Sequence, residues 1–406
     1  MRTFGVEEEL LLVDDDGRTA PVAESVLGGA EQRDAGGPQL AREIQQEMIE
    51  VISRPHETSA RLLEEVFAGR ARAEAEAARF GAHAVALAAS PLPSRPHPSE
   101  TARYLGFMER YGRTARTSLT CGLHVHVSVD SPEEGVGVLD RIRTWLPLLV
   151  ALSANSAVVD GEDTGYESFR FEAWNRWPGS GPTEVFGSVD AYREFEEGLL
   201  STGVIVDQGM LYLDARLSRT HPTVEVRVAD VCQDPGDAVT IAAVVRALVE
   251  TAAREWQAGL KPCDVPATLI RLASWKAALC GVGAELLHPV RMRPVPAREA
   301  VRELFLHIAD SADDAGDGEV VRSGLSTILA RRTGSTMQRR AFARSGDPGD
   351  VVREALRVHQ RSSGSVAALA DAALADAAVL ADRQRTGEEV AGRGSARDQG
   401  LQLSRR

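Results

Sequence analysis

Phe4-Gly5-Val6-Glu7-Glu8-Glu9-Leu10-Leu11-Leu12-Val13 sets three consecutive carboxylates directly against an apolar run that reads as a buried strand. Side chains alternate along a strand, so Glu7 and Glu9 share a face with Leu11, while Glu8 points the other way with Val6 and Leu10. Two carboxylates about 7 Å apart on one face repel each other and resist burial. A divalent cation removes both penalties, because hard cations take carboxylate oxygens. The alternative is an exposed edge strand with a solvated acidic end, and this stretch alone does not choose between the two.

The same alternation recurs downstream. In Leu119-Thr120-Cys121-Gly122-Leu123-His124-Val125-His126-Val127-Ser128-Val129, the residues Leu123, Val125, Val127 and Val129 form one face and His124, His126 and Ser128 the other. Two imidazoles opposite a valine-packed face favour a site over a satisfied core histidine. Met210 to Leu217 and Pro222 to Val228 read as paired strands around the 218–221 turn, with Thr223, Glu225 and Arg227 opposite Val224, Val226 and Val228. Glu225 and Arg227 could be an ordinary cross-strand ion pair. Their shared polar face predicts instead that both address one bound group.

Between Arg42 and Ser53, Ile44, Met48 and Val51 recur at helical spacing with Glu43, Glu47 and Glu50 opposite them, the pattern of an amphipathic helix. Against that, Met48 to Ile52 is rich in strand formers and stops at Arg54-Pro55. If these strands share a sheet, one face gathers up to five carboxylates, two imidazoles and a guanidinium. Oxygen-rich ligation of that kind suits Mg²⁺ or Mn²⁺, and Mg²⁺ bound by a few carboxylates makes a nucleotide the natural co-substrate.

The remaining chain sets bounds. Its 406 residues can bury one large core or two moderate ones. A net charge of −13 argues against general affinity for nucleic acid or anionic membrane. The longest apolar stretch, Trp145 to Val159, is interrupted by Pro147, Ser153, Asn155 and Ser156 and is too short to span a bilayer. Cys121, Cys232, Cys263 and Cys280 lie far apart with no CxxC pairing, and Met1-Arg2-Thr3 leads straight into the acidic strand, so a cytoplasmic protein without a secretory signal is expected.

Helices are expected over Thr58–Phe80 (capped by Thr58 or Ser59), Ala102–Arg113, Pro132–Val159, Asp190–Leu200 and almost everything after Pro235. Pro21–Leu27 reads as a short returning strand, and Ala82–Ala89 as a short buried one. The loop from Gly161 to Arg170 is too specific for a mere connector and is expected to bind. Val366–Ala381 suggests a last helix capped by Ser365, and 383–406 a disordered polar tail, leaving 1–382 as a single catalytic domain. Strands that alternate cleanly between polar and apolar faces predict an α+β fold, a curved, largely antiparallel sheet with helices on its outer face. There is no Walker-type loop, no GxGxxG in a strand–turn–helix setting and no GxSxG.

Taken together, the motifs resemble the carboxylate–amine ligases of the glutamate–cysteine ligase type 2 family, whose fold is related to glutamine synthetase. The matching elements are Gly5-Val6-Glu7-Glu8-Glu9, Glu43 with Glu50, Gly122-Leu123-His124-Val125-His126-Val127, Ala154-Asn155-Ser156, Asp163-Thr164-Gly165-Tyr166-Glu167-Ser168-Phe169-Arg170, Arg176-Trp177-Pro178 and Thr223-Val224-Glu225-Val226-Arg227. Trp275-Lys276-Ala277-Ala278 and Gln338-Arg339 resemble the later, nucleotide-side elements more weakly. The resemblance implies that Glu7, Glu9, Glu43, Glu50, His124 and Glu225 ligate Mg²⁺, that Arg227 and Arg170 face the phosphoryl group or the acidic substrate, and that His126 orients its neighbours. It places Lys276, Gln338 and Arg339 on the ATP side and makes the Glu43–Glu50 segment extended. Glu47 and Ser128 depart from the family pattern without removing a presumed ligand.

The activity so implied is ATP-dependent amide formation through an acyl phosphate, by analogy between glutamate and cysteine. A homo-oligomer is left open. Two rivals stand beside this: a metal-dependent hydrolase, which would need further histidines, and a non-catalytic binding protein on the same fold, which would have no need to keep like charges together.

Overall fold

The strand β1 (Phe4–Val13) lies at the centre of a seven-stranded sheet in the computed structural model, which describes residues 1–31, 38–331 and 333–358. Its partners are β2 (Gln39–Arg42), β3 (Met48–Ile52), β4 (His83–Val85) and β5 (Gly122–Ser128). Two short strands, β6 (Val158–Val159) and β7 (Glu162–Asp163), form a separate ribbon; β8 (Ala215–Leu217) and β9 (Thr223–Asp230) complete the main sheet. A second ribbon joins β10 (Glu285–Leu287) to β11 (Pro294–Pro296). The main order is β2-β3-β1-β5-β9-β8, with β4 also on β1, and every pairing is antiparallel.

Register places the polar residues together. Glu9 stands opposite Glu50, Glu7 opposite His124, and His126 opposite Glu225. Between the pairs Leu123–Ala229 and Val125–Val226, β9 carries one residue more than β5. This bulge sets Arg227 and Val228 against His124.

The helices are α1 (Ala23–Glu31), α2 (Ser59–Ala78), α3 (Ala102–Arg110), α4 (Arg113–Thr117), α5 (Pro132–Ile142), α6 (Leu146–Ser153), α7 (Phe169–Trp174), α8 (Val189–Ser201), α9 (Pro235–Gln257), α10 (Ala267–Cys280), α11 (Ala297–Asp314), α12 (Gly318–Arg331) and α13 (Gly334–Ser345). Val6, Leu123, Val125, Val127, Val224 and Val226 are buried in one core with residues of α5, α6 and α9. The expected α+β architecture, with helices on the apolar face of an antiparallel sheet, is what forms. Among the described residues no helix is long and apolar enough to cross a membrane.

Four local expectations change. Pro21–Leu27 is not a strand: Ala23, Val26, Leu27 and Ala30 are buried at helical spacing, and α1 forms. The single helix expected over Pro132–Val159 is two. Pro147, in the first turn of α6, lacks the N–H that would continue α5, and the chain leaves the helix at Ala154 to enter β6. Arg42–Ser53 is not a helix: residues 43–47 form the turn between β2 and β3, and the extended conformation that the family resemblance implied holds for Met48–Ile52, which pairs with β1 on one side and β2 on the other. The strand expected from Met210 shortens to Ala215–Leu217, since Gln208–Met210 is a 3₁₀ turn. The expected helix at Val366–Ala381 and the 382/383 boundary lie outside the described residues.

Glu8 points away from Glu7 and Glu9, as the alternation requires. It meets Arg70 of α2, whose Nε and Nη2 donate to it at 2.9 and 2.6 Å, and Arg70 also donates to the carbonyls of Cys232 and Gln233 at 2.7 and 2.9 Å. Both side chains are buried, so removing one strands the other. Arg70→Ala is expected to lower unfolding free energy by about 3–5 kcal/mol in urea titration, and Glu8→Leu with Arg70→Met to restore most of it. A loss under about 1 kcal/mol for Arg70→Ala would show that the pair does not hold β1 to α2.

Candidate active site

The polar face of the sheet floors a cavity of about 290 Å³. Glu7 and Glu9 come from β1, Glu50 from β3, His124 and His126 from β5, and Glu225 and Arg227 from β9. Glu43 enters from the turn between β2 and β3. That turn is fixed by the 97–99 segment: Ser99 Oγ donates to the Glu43 carbonyl at 2.5 Å, and Gln46 N donates to the His97 carbonyl at 2.8 Å. Glu47, which helical spacing grouped with Glu43 and Glu50, points elsewhere and accepts from His97 Nδ1 at 2.6 Å. All six residues implied as metal ligands therefore line one cavity, together with Arg227 and His126.

Their geometry suits cations. Glu7, His124 and Glu225 each offer an atom within 4.8 Å of the others, and so do Glu9, Glu50 and His124. Glu43 lines the cavity outside both trios. His124 Nδ1 lies 3.3 Å from Glu7 Oε2, and its Nε2 is buried without a hydrogen-bond partner, 3.9 Å from Glu9 Oε1. Burial and then Arg227 push the His124 pKa down, keeping a neutral, ligand-ready imidazole.

Burial and the neighbouring Glu9 push Glu43 up to about 8, and burial with Glu43 raises Glu50 well above the usual carboxylate range. Carboxylates held together against their own charge, beside an orphaned imidazole nitrogen, are the donor set a divalent cation takes. At Glu7, burial works against the charge, but the hydrogen bonds from His124 and His126 outweigh it and lower the pKa. His126 faces Glu7 Oε1 from Nε2 at 3.3 Å, and its Nδ1 lies 3.0 Å from Thr223 Oγ1.

Glu225 and Arg227 do pair with each other. Both side chains nonetheless line the cavity. Glu225 is clamped from its other side by Arg216, with Nε at 2.8 Å and Nη2 at 3.2 Å. Burial would raise the Glu225 pKa, yet Arg227 and Arg216 hold it below the usual range. Arg216 was missed in the sequence. It sits directly opposite Glu225 on β8, so extending the alternation of the hairpin back from Thr223 would have found it. Tyr104 and Tyr212, with Trp174 and Trp177, form an aromatic wall that no spacing rule reveals, because each comes from a different element or loop.

Other implied residues lie away from this cavity. Arg170 is buried behind it. Its guanidinium sits where a Cβ on Gly122 would be, over the Trp174 ring at 5.7 Å and 3.4 Å from the Arg227 carbonyl. Gln338 is also buried, accepting from the backbone of Ala157 and Val158 at 2.9 and 3.1 Å and donating to the Asn155 carbonyl at 2.6 Å. Arg339 grips Asp163 at 2.9 Å and the Tyr166 carbonyl at 2.8 Å. These two fix the loop from Asn155 to Arg170. Lys276 is on α10, 3.8 Å from Glu285.

A sheet of this order, with acids, imidazoles and an arginine on one face and helices on the other, is a glutamine synthetase-like fold. The sequence model of glutamate–cysteine ligase family 2 matches residues 3–372. A provisionally named glutamate–cysteine ligase 2-1 of Paenarthrobacter aurescens is 48% identical over 362 residues, covering 88% of this chain and 94% of the relative. One of the same name from Streptomyces avermitilis is 47% identical over 361 residues, covering 89% and 100%. Among solved structures, the Francisella tularensis glutamate–cysteine ligase in complex with AMP superposes with a TM-score of 0.64 at 15% identity, covering 96% of this chain and 95% of that one. A bifunctional glutathione synthetase from Pasteurella multocida gives 0.65 at 15% identity, over 89% of this chain and 52% of that one. The chain belongs to glutamate–cysteine ligase family 2 and is an ATP-dependent carbon–nitrogen ligase.

Asp214 supports Arg227 from the backbone, its carbonyl accepting the Arg227 N–H at 3.0 Å. Its buried Oδ2 has no hydrogen-bond partner among the described residues, and burial pushes the carboxyl up to about 7. The folded state thus keeps a proton that the unfolded chain releases near pH 4, so this stabilising term is full below about pH 4 and lost as the pH rises to about 7. Asp214→Asn is expected to remove that slope and to be more stable than the parent at pH 8 in urea titrations. Parallel pH profiles for the two proteins would contradict this.

Proposed function

We propose that the enzyme joins the γ-carboxylate of glutamate to the amine of cysteine at the expense of ATP. A glutamate γ-carboxylate oxygen attacks the γ-phosphorus of ATP, the bond to the β-phosphate oxygen breaks, and ADP leaves. The cysteine nitrogen then attacks the acyl carbon, the carbon–oxygen bond to phosphate breaks, and the amine gives up a proton. The observation that carries this reading is the convergence of five carboxylates and two imidazoles beside a buried arginine in one cavity.

Glu7, Glu9, Glu43, Glu50, Glu225 and His124 would hold Mg²⁺, with Mn²⁺ as a substitute. The metal would supply positive charge where carboxylate and phosphate must approach each other. Arg227 lines the same cavity and is buried, so its guanidinium offers a preorganised donor set to the transferring phosphoryl group. His126 orients Glu7 from the side away from His124. Arg170 positions Arg227 through its carbonyl, and Gln338 and Arg339 serve the nucleotide side through the loop they fix, with Lys276 beside it on α10. The aromatic wall limits water that would hydrolyse an acyl phosphate. Free thiols at all four cysteines support a reducing, cytoplasmic setting. A hydrolase is disfavoured by the histidines: His307 stacks on Trp145 at 4.2 Å, and neither it nor His288 lines the cavity.

ADP release should require Mg²⁺, glutamate and cysteine together, and nucleotide-independent hydrolysis would sink the proposal. Arg227→Lys should lower turnover by roughly 10²–10³-fold, because a point charge does not reproduce the planar fork. Near-normal turnover would return Arg227 to a purely structural role. His124→Ala should raise the Mg²⁺ requirement more than His126→Ala does, and the reverse order would exchange their assignments.

A further inference from the structure

Four arginines line the cavity: Arg103, Arg216, Arg219 and Arg227. Three are already engaged. Arg216 and Arg227 share Glu225, and Arg103 grips Asp207 with Nε at 2.7 Å and Nη2 at 3.0 Å. Arg219 is different. It stands exposed at the rim with no hydrogen-bond or ion-pair partner among the described residues, and it exerts a through-space pull on the Glu196 carboxyl.

The turn that carries Arg219 is anchored. Ser218 N donates to the Thr223 carbonyl at 2.9 Å, and Thr223 N donates to the His221 carbonyl at 2.8 Å. His221 sets its ring edge-to-face on His126 at 6.4 Å, so the turn stands over the His126 end of the cavity. Ser218 and Thr220, on either side of Arg219, also line the cavity.

We infer that Arg219 is a specificity residue that binds the α-carboxylate of the acid substrate, an inference resting on the glutamate reading above. The proposed chemistry consumes the side-chain carboxylate on the cavity floor, where Arg227 and the acidic cluster lie. The second carboxylate of the same molecule, a short methylene chain away, is repelled by Glu7, Glu9, Glu43 and Glu50 and needs a cation that is not already engaged. Arg219 is the lining arginine that meets this need among the described residues, and a guanidinium fork matches a carboxylate in two hydrogen bonds. Acids lacking an α-carboxylate are discriminated against at this point.

Trp174 and Trp177 line the cavity, so tryptophan fluorescence reads occupancy without turnover. Titrations of the full-length protein with Mg²⁺ and a non-hydrolysable ATP analogue would compare glutamate with isoglutamine, which is its α-amide, and with glutamine, its γ-amide. The wild type is expected to prefer glutamate over isoglutamine by about 10- to 100-fold, the value of a charge-assisted contact. Arg219→Ala is expected to weaken glutamate by that factor and to bind glutamate and isoglutamine alike. Arg219→Lys is expected to recover part of the loss. The glutamate-to-glutamine ratio, the nucleotide affinity and the thermal midpoint should not move, because Arg219 holds no hydrogen-bond or ion-pair partner among the described residues. Unchanged glutamate affinity in Arg219→Ala overturns the inference, as does a loss confined to the nucleotide, which would assign Arg219 to phosphate. Absence of glutamate binding to the wild type overturns the glutamate reading and this inference with it.

Discussion

Glu7, Glu9, Glu43 and Glu50 open into one cavity from three neighbouring segments of chain, and their mutual repulsion is the constraint around which the sheet is arranged. Burial and crowding lift Glu43 and Glu50 out of the ordinary carboxylate range. A fold does not gather such charges for stability, because removing them from water costs several kcal/mol per ion. Where the same strand needs a stable acid, it pairs it: Glu8, one residue from both Glu7 and Glu9, is matched by Arg70 with two hydrogen bonds. The contrast within three residues separates an acid paired inside the fold from two that face the cavity.

The rest of the architecture serves that arrangement. Antiparallel pairing brings residues distant in sequence into lateral register, so that Glu9 meets Glu50 and Glu7 meets His124. The bulge in β9 rotates Arg227 toward His124, 3.5 Å from it, where an unbroken ladder would set one residue opposite. Helices on the opposite face bury the alternating valines and keep the strands from slipping by one residue, a shift that would exchange the two faces. Stability and site are thus two sides of one sheet.

Much of this was legible in the sequence because period-2 alternation is a strong signal. β1, β5 and β9 declare their faces, and with them Glu7, Glu9, His124, His126, Glu225 and Arg227. The Glu43–Glu50 segment was ambiguous, since its apolar spacing fits a helix, and only the place of Met48–Ile52 between β1 and β2 makes that part extended. Family resemblance resolved it where periodicity did not. The split between α5 and α6 was signalled by Pro147, yet the apolar run on both sides masked the break. Tyr104, Trp174 and Tyr212 were out of reach for a different reason. Each reaches the cavity through tertiary packing, and no local pattern marks a residue whose role is set by elements far away in sequence. Gln338 and Arg339 show the converse: a motif pointed to them, and they turn out to brace the Asn155–Arg170 loop.

The central claim is that the acidic face is a cation site. Mn²⁺ titrated into the substrate-free protein and followed by electron paramagnetic resonance reads this directly, since bound Mn²⁺ loses the sharp signal of the aqueous ion. The account predicts stoichiometric loss of that signal in the wild type, and a marked weakening in Glu9→Gln and in Glu50→Gln, each of which removes a ligand from the trio that shares His124. Binding of Mn²⁺ that is absent in the wild type, or equal in wild type and both variants, would contradict it.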